Sequence, residues 1–574
     1  MRCLGPRSPG HNIDVQVTDV PTGRKAAVSF RQQDDTLLGM HPRARTETMS
    51  APYSATIRLT ERSAGGSAIV RESRTATVGV ALLIVTTLLA RLLFAGALGL
   101  GIDESYMVAA GRVPHLSYFD HPPLSWWMAW AAARLAGTEA PLIVRLPFVL
   151  TFALTTWLMF RLTRRLFGAR AGLWAAILLN AGPVFGVSAG SWVLPDGPLF
   201  AALLGAAVCL VEALSASGRA AWGWWVASGA CAGLALLSKY SAILAIAGVL
   251  LFLLTQPGQR RWLSRPQPYA AGLLALAMFA PVLAWNARHG WVSVLFQGGR
   301  ATPAHLHLLG PLTTLGGEAA FLLPWIWLPL VWCGVLALRR GPTDERSWLL
   351  ACLAAPTILL FCVVSLWNHV LFHWAAPGYL LLFPLLGEAI TRCQRHGSVI
   401  LVGTAATAAI VVAAVVLVAS EVRFNWLPDS FEKFAVGRDP DLGAVDWVSL
   451  RAELSERGLL GRPGLVVAAT RWMDAGKLDY ALAGQATVIC LGDDPRQYGL
   501  NARLGAYAGD DVLIAAPRSS FRAIDSQFGK MFDSLEALPP ATVLHAGRPA
   551  MIVPLYLGHH FKPGGSRPGQ ADLA

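Results

Sequence analysis

The chain has 574 residues, of which 54% are hydrophobic and only 14% are charged, and its mean hydropathy is +0.48. Soluble domains average roughly 25% charged residues, so this composition excludes an ordinary soluble protein and predicts a polytopic membrane protein. The net charge is +12, but Lys and Arg gather in short runs between apolar segments, which indicates membrane loops and not a nucleic-acid-binding surface. Five of the eight cysteines lie inside apolar runs without metal-ligand spacing, so neither a disulfide framework nor a zinc site is predicted: Cys209, Cys231, Cys333, Cys352 and Cys362.

Residues 1–75 form a polar N-terminal segment rich in Arg, Ser, Thr and Gly. This segment has neither an apolar period nor the apolar core of a signal peptide. We therefore expect a disordered cytosolic tail. Met40 and Met49 are alternative candidates for the first residue of the translated protein.

Residues 76–420 are a series of apolar segments of about 17 to 25 residues, the length that crosses a bilayer core of roughly 30 Å. The Trp-rich stretch 125–135 is either an interfacial helix or a further short span. About eleven transmembrane helices are predicted, near residues 77–100, 141–162, 171–189, 197–215, 222–238, 241–255, 269–287, 312–338, 347–366, 374–390 and 398–420.

The positions of the basic clusters predict which loops share a side of the membrane. With about eleven spans, the clusters RESR, RLTRRLFGAR, QRRWLSR, RRGPTDER and TRCQRHGS all fall on one side, as the positive-inside rule requires of the cytosolic face. The exterior face then receives the loop 101–124, SWVLPDGPL, the loop 286–311, WNHVLFH and everything after residue 421.

Residues 421–574 have a different pattern. GLVVAAT, ATVICLG and DDVLIAAP are typical of short buried strands, whereas RWMDAGKLDYALAG and residues 519–538 have helical patterns. This alternation predicts a small soluble α/β domain outside the membrane.

The loop GIDESYMVAAGRVPHLSYFDHPPL places Asp103, Glu104, Asp120 and His121 beside the first span. Solvation is the ordinary explanation for acids in a loop, but Asp103 and Glu104 lie at the predicted membrane surface. Pro122 also restricts the backbone of His121. Acidic groups at one membrane face suit two functions: ion coupling in a secondary transporter or lipid flippase, and base catalysis on a lipid-anchored substrate.

Other polar residues near the membrane have two interpretations each. Asp196, at the exterior end of the fourth span, is either a helix N-cap or a site residue. Arg145 either contacts a phosphate or extends to the interface, and for Arg91, in mid-span, we expect a buried structural ion pair. His369 and His373 are four residues apart, a helical metal spacing, but without a third ligand we expect interfacial hydrogen bonding.

The order of these motifs resembles the PMT-type glycosyltransferases of the GT-C superfamily, which include protein O-mannosyltransferases and bacterial lipid A aminoarabinose transferases. The resemblance rests on DESYM, YFDHPPL, PLIVRLPF and LPDGPL in this order, and it continues through LLSKYSAIL and HWAAPGYLLLFP. It covers roughly residues 76–500. It implies a GT-C-like enzyme of the bacterial inner membrane that transfers a sugar from a polyprenyl-phosphate donor to an acceptor hydroxyl at the periplasmic face, with inversion.

The resemblance also implies roles for individual residues. Asp103 matches the family's catalytic carboxylate and would be the general base, while Glu104 would share the proton or orient the acceptor. His121, where related transferases carry Lys, would stabilise the leaving phosphate together with Lys239 and Arg145. Asp120, Asp196, Tyr240 and His373 complete the expected substrate-binding set.

Metal use and the acceptor stay open in the sequence. Asp120 and His121 are alternatively ligands of a divalent metal cation. The expected partners are the donor, membrane lipids and an acceptor that is lipid A, another glycolipid, a polysaccharide or a protein. The ion-coupled transporter or flippase is the alternative function, although we find no internal repeat and the acids lie at one surface and not at the midplane.

Overall fold

The structure is a computed structural model that describes residues 15–18, 25–28, 63–302, 305–393, 397–424, 426, 445–517 and 519–563. The described residues fall into two units, which divide between residues 62 and 63. In the first unit, strands β1 (Val15–Thr18) and β2 (Lys25–Val28) pair in antiparallel fashion. The expected disordered tail otherwise lies outside the described residues.

The first part of the second unit is helical. Short helical segments also occur at Val184–Ala189, Pro257–Ser264 and Gly341–Thr343. The helices are α1 (Ser63–Ala97), α2 (Ile102–Ala110), α3 (Leu124–Ala136), α4 (Pro141–Phe167), α5 (Ala169–Ala181), α6 (Asp196–Ser215), α7 (Gly218–Ser238), α8 (Ala242–Thr255), α9 (Pro266–Arg288), α10 (Val292–Gly299), α11 (Gly310–Leu322), α12 (Pro324–Arg340), α13 (Glu345–Val364), α14 (Ala376–Leu380), α15 (Phe383–Arg392) and α16 (Gly397–Phe424).

Among the described residues, seven helices are long and apolar enough to cross a membrane: α1, α4, α6, α7, α9, α13 and α16. Two bent pairs raise the number to nine, because α8 turns by 110° into the segment 257–264 and α11 turns by 116° into α12. Pro257 and Pro324 begin the second half of each pair, where a proline ends the preceding helix. The predicted membrane protein of many helices is confirmed, whereas the count of eleven is not.

The difference in count comes from short helices. Helix α5 has 13 residues, fewer than the roughly 20 that cross a bilayer. The span predicted at 374–390 is divided into α14, with 5 residues, and α15, with 10. Helix α3 also has 13 residues, which favours the interfacial helix among the two alternatives for the Trp-rich stretch.

The basic loops and the acidic loop lie at opposite ends of α4. Arg165, near the last turn of α4, pairs with Glu212 at 3.2 Å, and Arg346 donates to the carbonyl of Leu166 at 2.8 Å. Arg145 lies twenty residues before Arg165 on the same helix, which corresponds to about 30 Å. The two ends are therefore separated by about the thickness of a bilayer core.

The C-terminal region contains a five-stranded mixed sheet in the order β4-β3-β5-β7-β6. Strand β3 is parallel to β4 and β5, and β7 is antiparallel to β5 and β6. The predicted small domain with a sheet is confirmed. Its elements are α17 (Ser449–Glu456), β3 (Leu465–Ala469), α18 (Trp472–Leu482), β4 (Val488–Cys490), α19 (Gln497–Asn501), β5 (Asp511–Ala515), α20 (Phe521–Phe528), β6 (Ser534–His545) and β7 (Arg548–His559).

One helix in this domain is shorter than predicted. The helical pattern of residues 519–538 holds only to Phe528, because β6 begins at Ser534. Ala546 and Gly547 both have positive φ, 49° and 78°, which fits a tight two-residue hairpin turn. Pairing of β6 with the twelve-residue β7 across this turn therefore overrides the local helical pattern.

The C-terminal domain packs on α2 through α18. The rings of Tyr106 and Trp472 meet edge to face with centroids 5.0 Å apart. A Cβ atom at Gly476 would lie 2.8 Å from the Cα of Tyr106, so only glycine permits this backbone approach. Lys477 is buried and its Nζ donates to the carbonyl of Leu100 at 2.6 Å. The domain thus supports the loop that carries the acidic residues.

We predict that Gly476→Ala destabilises the protein by about 1 to 3 kcal/mol, because the added methyl group forces α18 away from α2. The measurement is thermal unfolding of the purified protein in detergent. Gly505→Ala is the matched control in the same domain, since a Cβ there meets nothing within 4 Å. Equal unfolding temperatures for the two variants would show that the close approach is not required.

Candidate active site

A cavity of about 840 Å³ lies among α2, α6, α8, α10 and the C-terminal domain. Its wall includes residues from distant parts of the sequence, brought together by the helix ends and the loops between them. All nine residues predicted from the sequence line it: Asp103, Glu104, Asp120, His121, Arg145, Asp196, Lys239, Tyr240 and His373.

Arg145 is buried at one side of the cavity, with 2% of its surface exposed. Its Nε and one Nη donate to the two carboxylate oxygens of Glu104 at 2.8 and 2.6 Å. Its other N–H groups donate to the carbonyls of Ala95, Leu98 and Gly99. Since a guanidinium has five N–H donors, none is left for a phosphate. The structure therefore corrects both interpretations of Arg145 made from the sequence, the phosphate contact and the extension to the interface.

Both carboxylate oxygens of Glu104 likewise accept hydrogen bonds within the protein. Besides Arg145, its carboxylate accepts the N–H groups of Gly101 at 2.9 Å and Val193 at 3.0 Å. Burial alone would raise the pKa of Glu104, but the charge and hydrogen bonds of Arg145 and these backbone donors hold it below its usual value. The expectation that Glu104 shares the proton or orients the acceptor is corrected, because its oxygens are occupied and buried.

Asp103 precedes Glu104 on α2, so its side chain points about 100° away around the helix, and it is exposed to the cavity. Protein surrounds the cavity, and this burial from bulk water raises the pKa of Asp103. The negative charge of Asp120 raises it further, against the opposing effect of Arg496. An accessible carboxylate with a raised pKa is a stronger base than an ordinary aspartate.

Asp120 is paired with a residue of the C-terminal domain. Its Oδ2 accepts a hydrogen bond from Nη1 of Arg496 at 3.1 Å, and Arg496 stacks on the ring of Trp472 at 3.7 Å. Asp120 is only 3% exposed, and burial raises its pKa while Arg496 lowers it. Arg496 lines the cavity but was missed in the sequence, where it stands in a loop without any motif.

Lys239 and Asp196 form a second ion pair in the cavity wall. The ammonium group lies 2.9 and 3.1 Å from the two oxygens of Asp196. Asp196 belongs to the first turn of α6, whose N-cap is Pro195, so the N-cap interpretation does not hold. Lys239 keeps one N–H that is not used by Asp196.

The two histidines of the cavity are not cations. Burial and the nearby charge of Lys239 lower the pKa of His121 to about 3 and that of His373 to about 4. Both imidazoles are therefore neutral near pH 7. A change from Lys to His at position 121 leaves the charge open in the sequence, and this environment favours the neutral imidazole.

Arg300 is a cation of the cavity that the sequence prediction missed. It follows α10, which Gln297 fixes by donating to the carbonyl of Asp120 at 2.6 Å. The guanidinium lies 4.2 Å from the ring centroid of Phe296 and 5.5 Å from that of Trp374. Within the described part of the chain, Arg300 has no carboxylate at salt-bridge distance, and it is therefore available to an anionic ligand.

One wall of the cavity is apolar. It is formed by side chains of α8, α11 and α13 and of the loop before α14: Ile243, Leu244, Phe321, Leu360, Phe361, Val364 and Leu371. The cavity therefore offers charged groups on one side and a hydrocarbon surface on the other.

Two further features predicted from the sequence, the helical spacing of two histidines and an ion pair of Arg91, are also corrected. His369 and His373 lie in a loop between α13 and α14, so they do not have helical spacing. Arg91 donates to the carbonyl of Gly186 and to Oδ1 of Asn180, both at 2.9 Å, where we expected an ion pair. The residues that the structure describes contain no group of three or more His, Cys, Asp or Glu side chains placed to hold a metal ion.

Comparison with known proteins agrees with the resemblance found in the sequence. The family described as dolichyl-phosphate-mannose-protein mannosyltransferase matches residues 120–285. The lipid A galacturonosyltransferase RgtD of Rhizobium johnstonii is 24% identical over 280 residues, which cover 48% of this chain and 58% of that relative. The chain thus matches a little over half the length of this curated relative.

Solved structures show the same fold. ArnT from Cupriavidus metallidurans bound to undecaprenyl phosphate has a TM-score of 0.59 and 17% identity, with 83% of this chain and 97% of ArnT covered. Its apo state gives a TM-score of 0.57 and 16% identity, with 84% and 98% covered. The predicted resemblance to PMT-type GT-C glycosyltransferases is confirmed, and the fold is that of ArnT.

We predict that Arg145→Gln destabilises the protein by about 3 to 5 kcal/mol, because it leaves Glu104 charged and buried without its partner. Thermal unfolding in detergent measures this loss. Arg392→Gln is the control, since Arg392 pairs with Glu388 at an exposed position, where such a pair contributes about 1 kcal/mol at most. An Arg145 variant as stable as the control would mean that the buried pair does not support the fold.

Proposed function

We propose that this protein is a glycosyltransferase that moves a sugar from a polyprenyl-phosphate donor to an envelope acceptor, with inversion at the anomeric carbon. The observation that carries the proposal is the accessible carboxylate of Asp103, whose pKa is raised, in one cavity with cations and an apolar wall. The confirmed PMT-type resemblance supports it. RgtD is named for transfer to lipid A, and on that basis we propose lipid A or a similar glycolipid as the acceptor.

Asp103 acts as the general base in this mechanism. It takes the proton of the acceptor hydroxyl while that oxygen forms a bond to the anomeric carbon of the donor sugar. The bond between the anomeric carbon and the phosphate oxygen breaks, and the polyprenyl phosphate leaves with the electron pair. The orientation of Asp103 on α2 depends on Glu104, because the pairing of Glu104 with Arg145 fixes the start of that helix.

Arg300 and Lys239 stabilise the charge that develops on the leaving phosphate. Arg300 has no described carboxylate partner, and Lys239 retains one free N–H beside Asp196. Both line the cavity together with the apolar wall of α8, α11 and α13, which suits the polyprenyl chain. Neutral His121 and His373 contribute hydrogen bonds but no positive charge.

The reaction takes place at the periplasmic face of the bacterial inner membrane. The cavity lies at the end of α4 opposite to the basic loops, and basic loops are typical of the cytosolic side. The C-terminal domain packs on α2 at the cavity end and is therefore periplasmic as well.

The ion-coupled transporter receives no support from the pairing of charges. Glu104, Asp120 and Asp196 each have a cationic partner, so Asp103 is the one lining acid among the described residues without such a partner. A single carboxylate supplies fewer oxygen ligands than a bound metal cation usually takes.

We predict that Asp103→Asn lowers the rate of sugar transfer about a hundredfold or more, because it keeps the shape of the side chain but removes the proton acceptor. Single-turnover transfer by the purified enzyme in nanodiscs measures the rate, and donor binding is assayed separately. Asp493→Asn, at an exposed position of the C-terminal domain, is the control and should transfer at the wild-type rate.

The pH dependence of the same assay gives an independent test of the base. Only ionised Asp103 accepts the proton, so the rate should fall as the pH drops through its raised pKa, above the range of an ordinary aspartate near 4. Near-normal turnover of Asp103→Asn, with an unchanged acid limb, would remove Asp103 from the catalytic role.

For the leaving group, we predict that Arg300→Gln and Lys239→Gln each cost about 1 to 4 kcal/mol of transition-state stabilisation in kcat/KM for the donor. The exposed Arg219, at the start of α7, provides the control Arg219→Gln. Initial rates at low donor concentration measure the effect. Wild-type rates for both cavity variants would exclude these side chains from the phosphate site.

A further inference from the structure

The C-terminal domain places Arg496, the last residue of the loop before α19, in the cavity wall. Arg496 has φ of 46° and ψ of −129°, a backbone conformation that arginine rarely adopts. The next residue fixes this position, because the N–H of Gln497 donates to Tyr106 at 3.1 Å and its Oε1 accepts the N–H of Phe119 at 2.9 Å. A residue whose strained backbone is held in place by the surrounding structure is typical of a functional position.

The ion pair between Asp120 and Arg496 leaves two polar atoms unused. Oδ1 of Asp120 is buried and has no hydrogen-bond partner among the described residues. Arg496 uses Nη1 for Asp120 and its Nε for a long contact of 3.4 Å to Asp494, so its Nη2 makes no described hydrogen bond. A buried carboxylate oxygen without a partner is costly, and a ligand donor at that place would remove the cost.

The surroundings of the pair are suited to a sugar ring. The pair carries no net charge, and it presents one acceptor and one planar donor group next to each other. Trp472, on which Arg496 stacks, also lines the cavity and offers an aromatic surface. Ring hydroxyls both donate and accept hydrogen bonds, and charged partners bind them more strongly than neutral ones.

We propose that Asp120 and Arg496 form a sugar-hydroxyl subsite between the loop after α2 and the C-terminal domain. Oδ1 of Asp120 accepts a hydrogen bond from one ring hydroxyl, and Nη2 of Arg496 donates to a second. The subsite rests on the proposed glycosyltransferase function and deepens it by naming the groups that select the sugar. The hydroxyls belong to the transferred sugar of the donor or to a sugar of the acceptor.

The test uses two sets of substrates, each lacking one hydroxyl at a time: deoxy analogues of the donor sugar and deoxy analogues of the acceptor sugar. Wild-type enzyme should lose about tenfold or more in kcat/KM with the analogue that lacks a bound hydroxyl. Arg496→Lys keeps a positive charge beside Asp120 but lacks the planar guanidinium fork that places a second donor at the position of Nη2. In this variant, removing the hydroxyl that Nη2 binds should therefore cause little further loss of kcat/KM. Asp120→Asn should weaken the discrimination against the analogue that lacks the hydroxyl bound by Oδ1 of Asp120.

Arg112→Gln is the control for domain docking. Arg112 joins Asp479 of α18 to Glu139 at 2.5 and 2.8 Å, and it does not line the cavity. This variant should keep the wild-type discrimination among the analogues, even if the protein is less stable.

The outcomes separate the subsite from the proposed function. If the loss of kcat/KM caused by a donor analogue disappears in the variants, the bound hydroxyls belong to the donor sugar. If the loss caused by an acceptor analogue disappears instead, they belong to the acceptor sugar. Unchanged losses in both variants, or equal changes in Arg112→Gln, overturn the subsite while transfer by the wild type still supports the enzyme. Absence of transfer by the wild type overturns both.

Discussion

The buried ion pair between Glu104 and Arg145 is the interaction on which the site depends. Three N–H groups of Arg145 donate to carbonyls in the last turn of α1 and just after it, where the carbonyls of a helix end have no backbone N–H partner within the helix. The other two bind Glu104 in the first turn of α2. One side chain of α4 thus fixes the end of one helix and the start of the next. Asp103 is exposed to the cavity on the same helix, while its neighbour Glu104 is occupied by Arg145 in the cavity wall.

A second constraint is the pairing of charges around the base. A catalytic carboxylate needs a raised pKa, but a cation in direct contact would lower it. In this cavity the other acids each have their own partner: Asp120 has Arg496, and Asp196 has Lys239. These partners offset the negative charges of the two acids, and Arg496 opposes part of the rise in the pKa of Asp103. Asp103 is accessible, and among the described residues it has no cation at salt-bridge distance, so its pKa stays raised as a general base requires.

The sequence predicted the members of the cavity better than their roles. Short motifs contain Asp103, Glu104, Asp120, His121 and Asp196. The order of these motifs is enough to indicate the resemblance to PMT-type glycosyltransferases. Which charge pairs with which depends on contacts between residues far apart, such as Glu104 and Arg145, and no local pattern contains that information. Arg300 and Arg496 lie outside any motif, so no local pattern indicates that they line the cavity. The predicted number of spans was wrong because α5 is too short to cross a bilayer and because residues 374–390 divide into α14 and α15. Strand β6 was missed because strand pairing overrides a local helical pattern.

The change in composition near residue 421 suggests two independent parts, but the contact between α2 and α18 argues against independence. Many interdomain contacts are polar and permit motion. Here Gly476 allows the backbones to meet, and Lys477 is buried with its pKa lowered to about 8 by loss of solvent. Burying an ammonium group is tolerated only where carbonyls replace its water, as those of Leu100 and Val445 do. Separating the domains would expose these groups and withdraw Trp472 and Arg496 from the cavity, so the wall that pairs with Asp120 is complete only while both parts are in contact.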